Sequence, residues 1–233
     1  MSTPIIVFDL DGTLVDTAPD LLDSLNHCLA TAGLDPVEEA ALRRYVGLGG
    51  RVMLQRAFEA QQASLDETGL EKLLQEFLDH YGRGIPGRSS FYPGALDAME
   101  RFGAEGFLLA ICTNKFERLS VALMEGLGKA GHFAAICGAD TFAYRKPDPR
   151  HLVQTILRAG GDPERAVMIG DSQTDIDTAR AAGIPVVAVD WGYTDRHVRE
   201  LQPSLIISHY DELQVETARA LISSVRGRAA APA

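Results

Sequence analysis

The chain opens on an apolar run, Ile5-Ile6-Val7-Phe8, that breaks off in Asp9-Leu10-Asp11-Gly12-Thr13. A short continuous apolar run bounded by glycine predicts a strand buried on both faces, as in a parallel sheet. Helical spacing then takes over for about seventy residues. Thr17-Ala18-Pro19-Asp20 offers an N-cap, an early proline and a first-turn acid. Leu21, Leu22, Leu25, Cys28, Leu29 and Ala32 then mark one apolar face before Gly33 stops the helix. Asp35-Pro36-Val37-Glu38 predicts a second start, leading into Ala41, Leu42, Tyr45 and Val46. Gly47-Leu48-Gly49-Gly50 interrupts the pattern, which resumes at Met53, Leu54, Ala57 and Phe58 and again at Leu70, Leu73, Leu74, Phe77, Leu78 and Tyr81. Four amphipathic helices with short connections predict a small bundle.

Between Gly82 and Pro93 the composition turns to glycine and proline, a return linker or hinge. Beyond it apolar strands at Leu108–Cys112, Ala134–Cys137, Val167–Ile169, Pro185–Val189 and Leu205–Ile207 alternate with helical stretches such as His151–Ala159 and Asp175–Ala182. That alternation predicts right-handed βαβ units and a doubly wound, Rossmann-like parallel sheet of the α/β class. An α-helical bundle is therefore inserted after the first strand. The expected division is an α/β core from 1–16 and 89–225, a helical cap from 17–88 and a frayed tail from 226–233.

Composition narrows the setting. The 233 residues are 46% hydrophobic and 23% charged, with a net charge of −10 that disfavours nucleic acid and anionic membranes as partners. The N-terminus lacks a basic lead and no apolar stretch is long enough to span a bilayer, so a cytoplasmic protein is expected. Cys28, Cys112 and Cys137 are far apart and predict reduced, buried thiols. Cys112 lies one residue before a site position, and a reactive role there competes with that reading. The histidines form no His-x-x-x-His pair and are read as surface or packing residues.

The chemistry collects where strands end. Asp9 with Asp11, Thr113-Asn114-Lys115, Lys146-Pro147-Asp148-Pro149 and Gly170-Asp171-Ser172-Gln173-Thr174-Asp175 would share the carboxyl edge of the sheet, where open α/β folds bind ligands. Nearby carboxylates repel unless a cation or a shared proton intervenes. Oxygen ligands beside lysine and threonine suit a hard divalent cation and a phosphoryl group, with Mg²⁺ the expected cofactor. Simpler roles compete at several positions. Acids at strand ends can cap helices, although neither Asp9 nor Asp11 precedes a helical pattern at cap distance, whereas Asp175 opens one. Lys115 reads equally as a solvated surface lysine. The run from Asp171 superficially suggests an EF-hand loop, but Ile176 replaces its glycine and Ala182 its glutamate.

Asp9-Leu10-Asp11-Gly12-Thr13, Thr113, Lys146 and Gly170-Asp171 with Asp175 resemble the four ordered motifs of the haloacid dehalogenase superfamily, nearest to its phosphoglycolate phosphatases. The resemblance implies that Asp9 is the nucleophile and Asp11 the general acid and base. Thr113, Asn114 and Lys146 would bind the phosphoryl group, and Asp9, Asp11 and Asp171 the metal, Asp11 through its main-chain carbonyl. Asp175 would orient Lys146 or a metal-bound water. It further implies that Gly49, Gly50 and Arg51 form a substrate-specificity turn, with Arg51, or else Arg43 or Arg44, meeting a substrate carboxylate. A plain interhelical turn fits the glycines equally well. The expected substrate is a small phosphomonoester, 2-phosphoglycolate first, handled by a monomer or homodimer. A phosphomutase such as β-phosphoglucomutase, a pyrophosphatase or a nucleotidase shares the core motifs, a dehalogenase would leave Asp11 without a task, and a non-enzymatic binding module would not need these residues.

Overall fold

The computed structural model describes the backbone of residues 2–194 and 196–229, and their side chains except at 41–44 and 226–229. Strand β1 (Ile5–Phe8) is followed by a short β2 (Val15–Asp16), then helices α1 (Ala18–Thr31), α2 (Glu39–Val46), α3 (Gly50–Ala60) and α4 (Glu67–Gly84), and a short β3 (Ser90–Phe91). Alternation then sets in with α5 (Ala95–Ala104), β4 (Leu108–Cys112), α6 (Glu117–Gly126), β5 (Ala135–Cys137), α7 (Pro149–Arg158), β6 (Ala166–Gly170), α8 (Gln173–Ala181), β7 (Val186–Val189), β8 (Leu205–Ile207) and α9 (Val215–Ala229).

The sheet runs β5-β4-β1-β6-β7-β8, and every pairing in it is parallel. Alternation along β1 assigns its residues to two cores, as the two-residue period of a strand requires. Ile6 and Phe8 pack with Ala95, Met99, Phe102 and Ala218, whereas Ile5 and Val7 pack with Leu152, Ile156, Ile176 and Ala179. All four are fully buried, which accounts for the unbroken apolar run. Because β1 lies between β4 and β6, connections leave in opposite directions on its two sides, and the crevice at its carboxyl end is the topological switch point.

The four inserted helices build a third core around Leu25, Leu29, Met53, Leu54, Leu70, Phe77 and Tyr81, joined from outside the bundle by Leu119 and Tyr193. Its neck is the antiparallel pair β2–β3, with Val15 opposite Phe91 and Asp16 opposite Ser90. Asp20 fastens the returning chain, accepting from the amides of Arg88 and Ser89 at 2.8 Å each. Two-residue strands are too short to show a period, so the sequence pattern does not announce this neck.

Three local expectations are corrected. Asp35 to Glu38 does not open a helix, and α2 begins only at Glu39. The Asn26 side chain instead pairs with Val37 as a second strand would, Oδ1 accepting from its amide at 2.9 Å and Nδ2 donating to its carbonyl at 3.1 Å, which holds the segment extended. Thr17 occupies the N-cap position of α1 but makes no side-chain cap bond, because its hydroxyl is turned to Asp11. Finally, α9 continues through Ala229 into the stretch expected to fray, while 230–233 lie outside the described residues.

Candidate active site

Sheet register assembles the acids. Phe8 pairs with Ile111 on β4 and with Ile169 on β6, so the residues just past the strand ends face one another across the crevice. The Asp9 amide donates to the Ile169 carbonyl at 2.8 Å and the Thr113 amide to the Cys137 carbonyl at 3.0 Å, extending the ladder by one step. Asp9, Thr113, Lys146, Asp171 and Asp175 are all buried, and carboxylate oxygens of Asp9, Asp171 and Asp175 lie within 4.8 Å of one another.

One lysine bridges two of these acids. Lys146 Nζ lies 2.9 Å from Asp9 Oδ1 and 2.5 Å from Asp175 Oδ1. Asp175 is not the N-cap of α8 but its third residue, where an acid also meets the positive end of the helix. Ser172 is the cap, and its amide and hydroxyl donate to Asp175 Oδ2 at 3.1 and 2.6 Å in a capping box. Asn114 Nδ2 donates to the Lys146 carbonyl at 3.0 Å and so fixes the lysine's backbone. Asp171 accepts from Thr13 Oγ1 at 2.9 Å and from the Tyr193 amide at 2.7 Å. The main chain closes tightly on it: a Cβ on Gly12, whose φ is +79°, would stand 2.7 Å from Asp171 Oδ2, and one on Gly192 only 2.3 Å away.

Charge in this cluster is unbalanced. Burial raises the Asp9 carboxyl to about 6 against the pull of Lys146, with Asp175 adding to the rise. Burial raises Asp171 to about 8, and Asp175 and Asp9 push it the same way. Burial works against the Lys146 ammonium, but Asp175 and Asp9 outweigh it and hold the lysine charged well above its ordinary range. Asp9 Oδ1 has its charge contact with Lys146 yet receives no aligned hydrogen bond from any described group. A buried carboxylate oxygen without an aligned donor, two acids driven toward neutrality and an all-oxygen donor set fit a hard divalent cation. Asp175 belongs to this cluster, whereas the Asp11 side chain is engaged elsewhere.

Asp11 instead meets Lys115, whose Nζ lies 3.0 and 3.2 Å from its two carboxylate oxygens, and accepts from Thr17 Oγ1 at 2.7 Å. Lys115 is therefore no solvated surface residue: its side chain is only 6% exposed, and Nζ sits 4.2 Å from the centre of the Tyr81 ring of α4. Its amide donates to Thr113 Oγ1 at 3.2 Å. The signal that points to it is a spacing of two from Thr113, the same as Asp11 from Asp9. Thr13, Tyr81 and Tyr193 escape sequence reasoning because their partners are distant in the chain, and Thr17 because it reads as a helix cap when its hydroxyl serves Asp11. Tyr193 Oη accepts from the amides of Thr17 and Ala18 at 2.8 and 2.9 Å and donates to Asp16, tying the neck to the loop that holds Asp171.

The turn at 49–51, expected to meet the substrate, is tied into the cap itself. Arg51 pairs with Glu67 at 2.9 Å and with Glu71, both on the first turns of α4. About 15 Å of helix separates Glu71 from Tyr81 at 1.5 Å per residue, so the guanidinium is held away from the Lys115 end of the helix. The glycines before it have packing reasons: a Cβ on Gly50 would stand 2.8 Å from the Phe77 ring, and one on Gly47 2.8 Å from the Tyr193 carbonyl, while Gly49 takes a φ of +86°. The side chains of Arg43 and Arg44 lie outside the described residues. The three cysteines are free and buried, and burial pushes the Cys112 thiol up to about 12, which makes it a poor nucleophile.

A buried array of acids and lysine at the switch point of a doubly wound sheet, roofed by a helical insertion, defines a capped α/β hydrolase. Residues 6–189 match the model of the haloacid dehalogenase-like hydrolases, and the chain belongs to that family. It is 67% identical over 222 residues to a phosphoglycolate phosphatase of Mesorhizobium japonicum, covering 95% of this chain and 98% of that protein. It is 47% identical over 229 residues to one of Agrobacterium fabrum, covering 98% and 97%. Among solved structures it resembles a predicted phosphoglycolate phosphatase of Haemophilus somnus, with a TM-score of 0.83 at 28% identity, over 91% of this chain and 97% of that one. No helix among the described residues is long and apolar enough to cross a membrane.

Proposed function

We propose that this chain hydrolyses the phosphate ester of a small metabolite, 2-phosphoglycolate above others, through an aspartyl-phosphate intermediate on Asp9 and with Mg²⁺ at the acid cluster. The observation that carries the reading is the buried row Asp9–Lys146–Asp175 beside Asp171, with one Asp9 oxygen left without an aligned donor. The names of relatives similar over nearly the whole chain support the substrate.

In the first step an Asp9 oxygen attacks phosphorus in line. As that bond forms, the bond from phosphorus to the glycolate oxygen breaks, and Asp11 gives its proton to the leaving oxygen. Water then attacks the phosphorus of the aspartyl phosphate, Asp11 takes its proton, and inorganic phosphate leaves a regenerated Asp9 carboxylate. Lys146 and Thr113 bear on the phosphoryl oxygens through both steps, the preorganised stabilisation that phosphoryl transfer chiefly needs. Asp175 and Asn114 position Lys146. Asp9, Asp171 and the Asp11 carbonyl would hold Mg²⁺, whose charge offsets the repulsion between nucleophile and phosphate. Residues 1–16 and 89–225 act as the catalytic core and 17–88 as the cap that selects the leaving group.

The test is phosphate release from 2-phosphoglycolate, pyrophosphate, β-glucose 1-phosphate and a nucleoside monophosphate, with and without Mg²⁺, alongside Asp9→Asn. Phosphate release from 2-phosphoglycolate that needs Mg²⁺ and vanishes in Asp9→Asn is expected, with radiolabelled phosphate retained on acid-quenched wild-type protein alone. Turnover in Asp9→Asn, with deamidation excluded, would falsify covalent catalysis, and preference for another substrate overturns the choice of ester.

A further inference from the structure

We propose that Lys115 and Tyr81 form the subsite for the carboxylate of the leaving group, a core ammonium and a cap hydroxyl that meet one anion between them; this rests on the 2-phosphoglycolate reading above. The first observation is a buried cation whose ion-pair partner is Asp11. Lys115 Nζ, on a side chain 6% exposed, has Asp11 on one side and the face of the Tyr81 ring on the other. The second is a buried hydroxyl whose hydrogen has no acceptor. Tyr81 is 2% exposed, and its Oη makes no aligned hydrogen bond with any described group; its charged neighbour is the Lys115 ammonium, which can only donate. Native proteins rarely leave such a group unsatisfied, and a ligand that supplies the missing acceptor is a standard reason.

Chemistry then places the anion. Asp11 protonates the ester oxygen of the leaving group, so that oxygen must come within a hydrogen bond of Asp11. In 2-phosphoglycolate a single methylene joins this oxygen to the carboxylate. A carboxylate so tethered falls beside whatever flanks Asp11, and what flanks it is Lys115 at 3.0 Å with Tyr81 behind. The ammonium can then pass from Asp11 to the substrate, freeing Asp11 to face the ester oxygen. The subsite is also rigid where it needs to be. Gly82, next to Tyr81, packs against Leu119 of α6, and Leu119 is buried in the cap's own core, so Tyr81 keeps its register with the Thr113–Lys115 loop. Arg51, the first cap arginine expected to meet a carboxylate, is occupied by Glu67 and Glu71.

The test compares 2-phosphoglycolate with 2-hydroxyethyl phosphate, which has the same length and no carboxylate, in wild type, Lys115→Gln and Tyr81→Phe, with Mg²⁺ present. Wild type is expected to prefer 2-phosphoglycolate. In Lys115→Gln the loss in kcat/KM on 2-phosphoglycolate should exceed the loss on the neutral ester by about 10-fold or more, as for one charge-assisted hydrogen bond. In Tyr81→Phe the excess should be about 3- to 10-fold and lie in KM. That variant should melt no lower than wild type, because the hydroxyl it removes makes no aligned hydrogen bond; it keeps the proposal testable should Lys115→Gln fold poorly. Equal losses on both esters, or an undiminished preference in both variants, overturn the subsite. So does a wild type that turns over both esters alike, although the phosphatase reading then survives. A wild type that releases phosphate from neither defeats that reading instead, and calorimetry of both esters with wild type and Lys115→Gln then decides the subsite, equal affinities overturning it.

Discussion

Asp171→Asn should stabilise the metal-free protein while destroying its response to Mg²⁺. Burial, with Asp175 and Asp9 alongside, lifts the Asp171 carboxyl from 3.8 to about 8. In the unfolded chain the group ionises near its ordinary value. Between those limits the folded protein binds a proton that the unfolded chain has shed, so this group's contribution is fully present below pH 4 and is lost as pH rises toward 8. One pKa unit corresponds to about 1.4 kcal/mol, and since Asp9 and Asp175 share the same field, we expect about 2–4 kcal/mol of latent destabilisation at pH 7. Asparagine removes it. The amide keeps the shape of the carboxyl, can accept from the Tyr193 amide through Oδ1 and can donate to Thr13 Oγ1, replacing the two hydrogen bonds Asp171 now accepts.

Urea unfolding followed by circular dichroism, in EDTA at several pH values, measures the gap. It should be small at pH 4, widen up to pH 8 and flatten above it. Saturating Mg²⁺ should raise the wild-type midpoint and leave the variant's in place, because a ligand that binds only the folded state stabilises in proportion to its occupancy. A gap that is the same at pH 5 and pH 8, or a wild type more stable than the variant in EDTA at pH 8, would refute the argument that this carboxylate is held in unneutralised burial.

Asp11→Ala should cost about 10²–10⁴ in kcat on an alkyl phosphate and far less on an aryl phosphate, whose leaving phenolate needs no proton. Equal losses on the two substrates would take Asp11 out of acid–base chemistry. Arg51→Ala should leave KM for 2-phosphoglycolate unchanged, since the guanidinium is bound to exposed glutamates on α4; a large increase in KM would return this arginine to the substrate.

The core is readable in the sequence because its strands are short, continuous apolar runs, three of which, β1, β4 and β6, run directly into site residues. Parallel register does the rest: once Phe8 pairs with Ile111 and Ile169, Asp9 must lie beside the ends of β4 and β6. Thr113 and Asp171, one residue past β4 and β6, follow from the same geometry, whereas Lys146 comes from the loop between β5 and α7. The cap resists such reading because contacts far apart in the chain decide it. A cap box written as Asp35-Pro36-Val37-Glu38 loses to one asparagine, Asn26, that offers Val37 a strand-like partner. Lys115 has no local feature that distinguishes a surface lysine from a buried one. Its burial depends on Asp11, 104 positions earlier, and on a tyrosine that belongs to the cap. Arg51 shows the converse, a residue suited by charge to an anionic ligand and diverted by two glutamates across the helix pair.

The neck connects both halves of the chemistry. Thr17 Oγ1 donates to Asp11, and the amides of Thr17 and Ala18 donate to Tyr193 Oη, while the amide of the same tyrosine donates to Asp171. Residues at the entrance of the cap are thus one hydrogen bond from the Asp11 carboxylate and two from Asp171, the cluster's most perturbed acid. Outer hydrogen bonds of this kind orient the groups that touch the reacting atoms. Any displacement of α1 against the sheet must strain both contacts at once. The cap, the Asp11 carboxylate and the acid cluster are therefore joined through one tyrosine and one threonine, so a shift of the cap reaches both carboxylates through the same two residues.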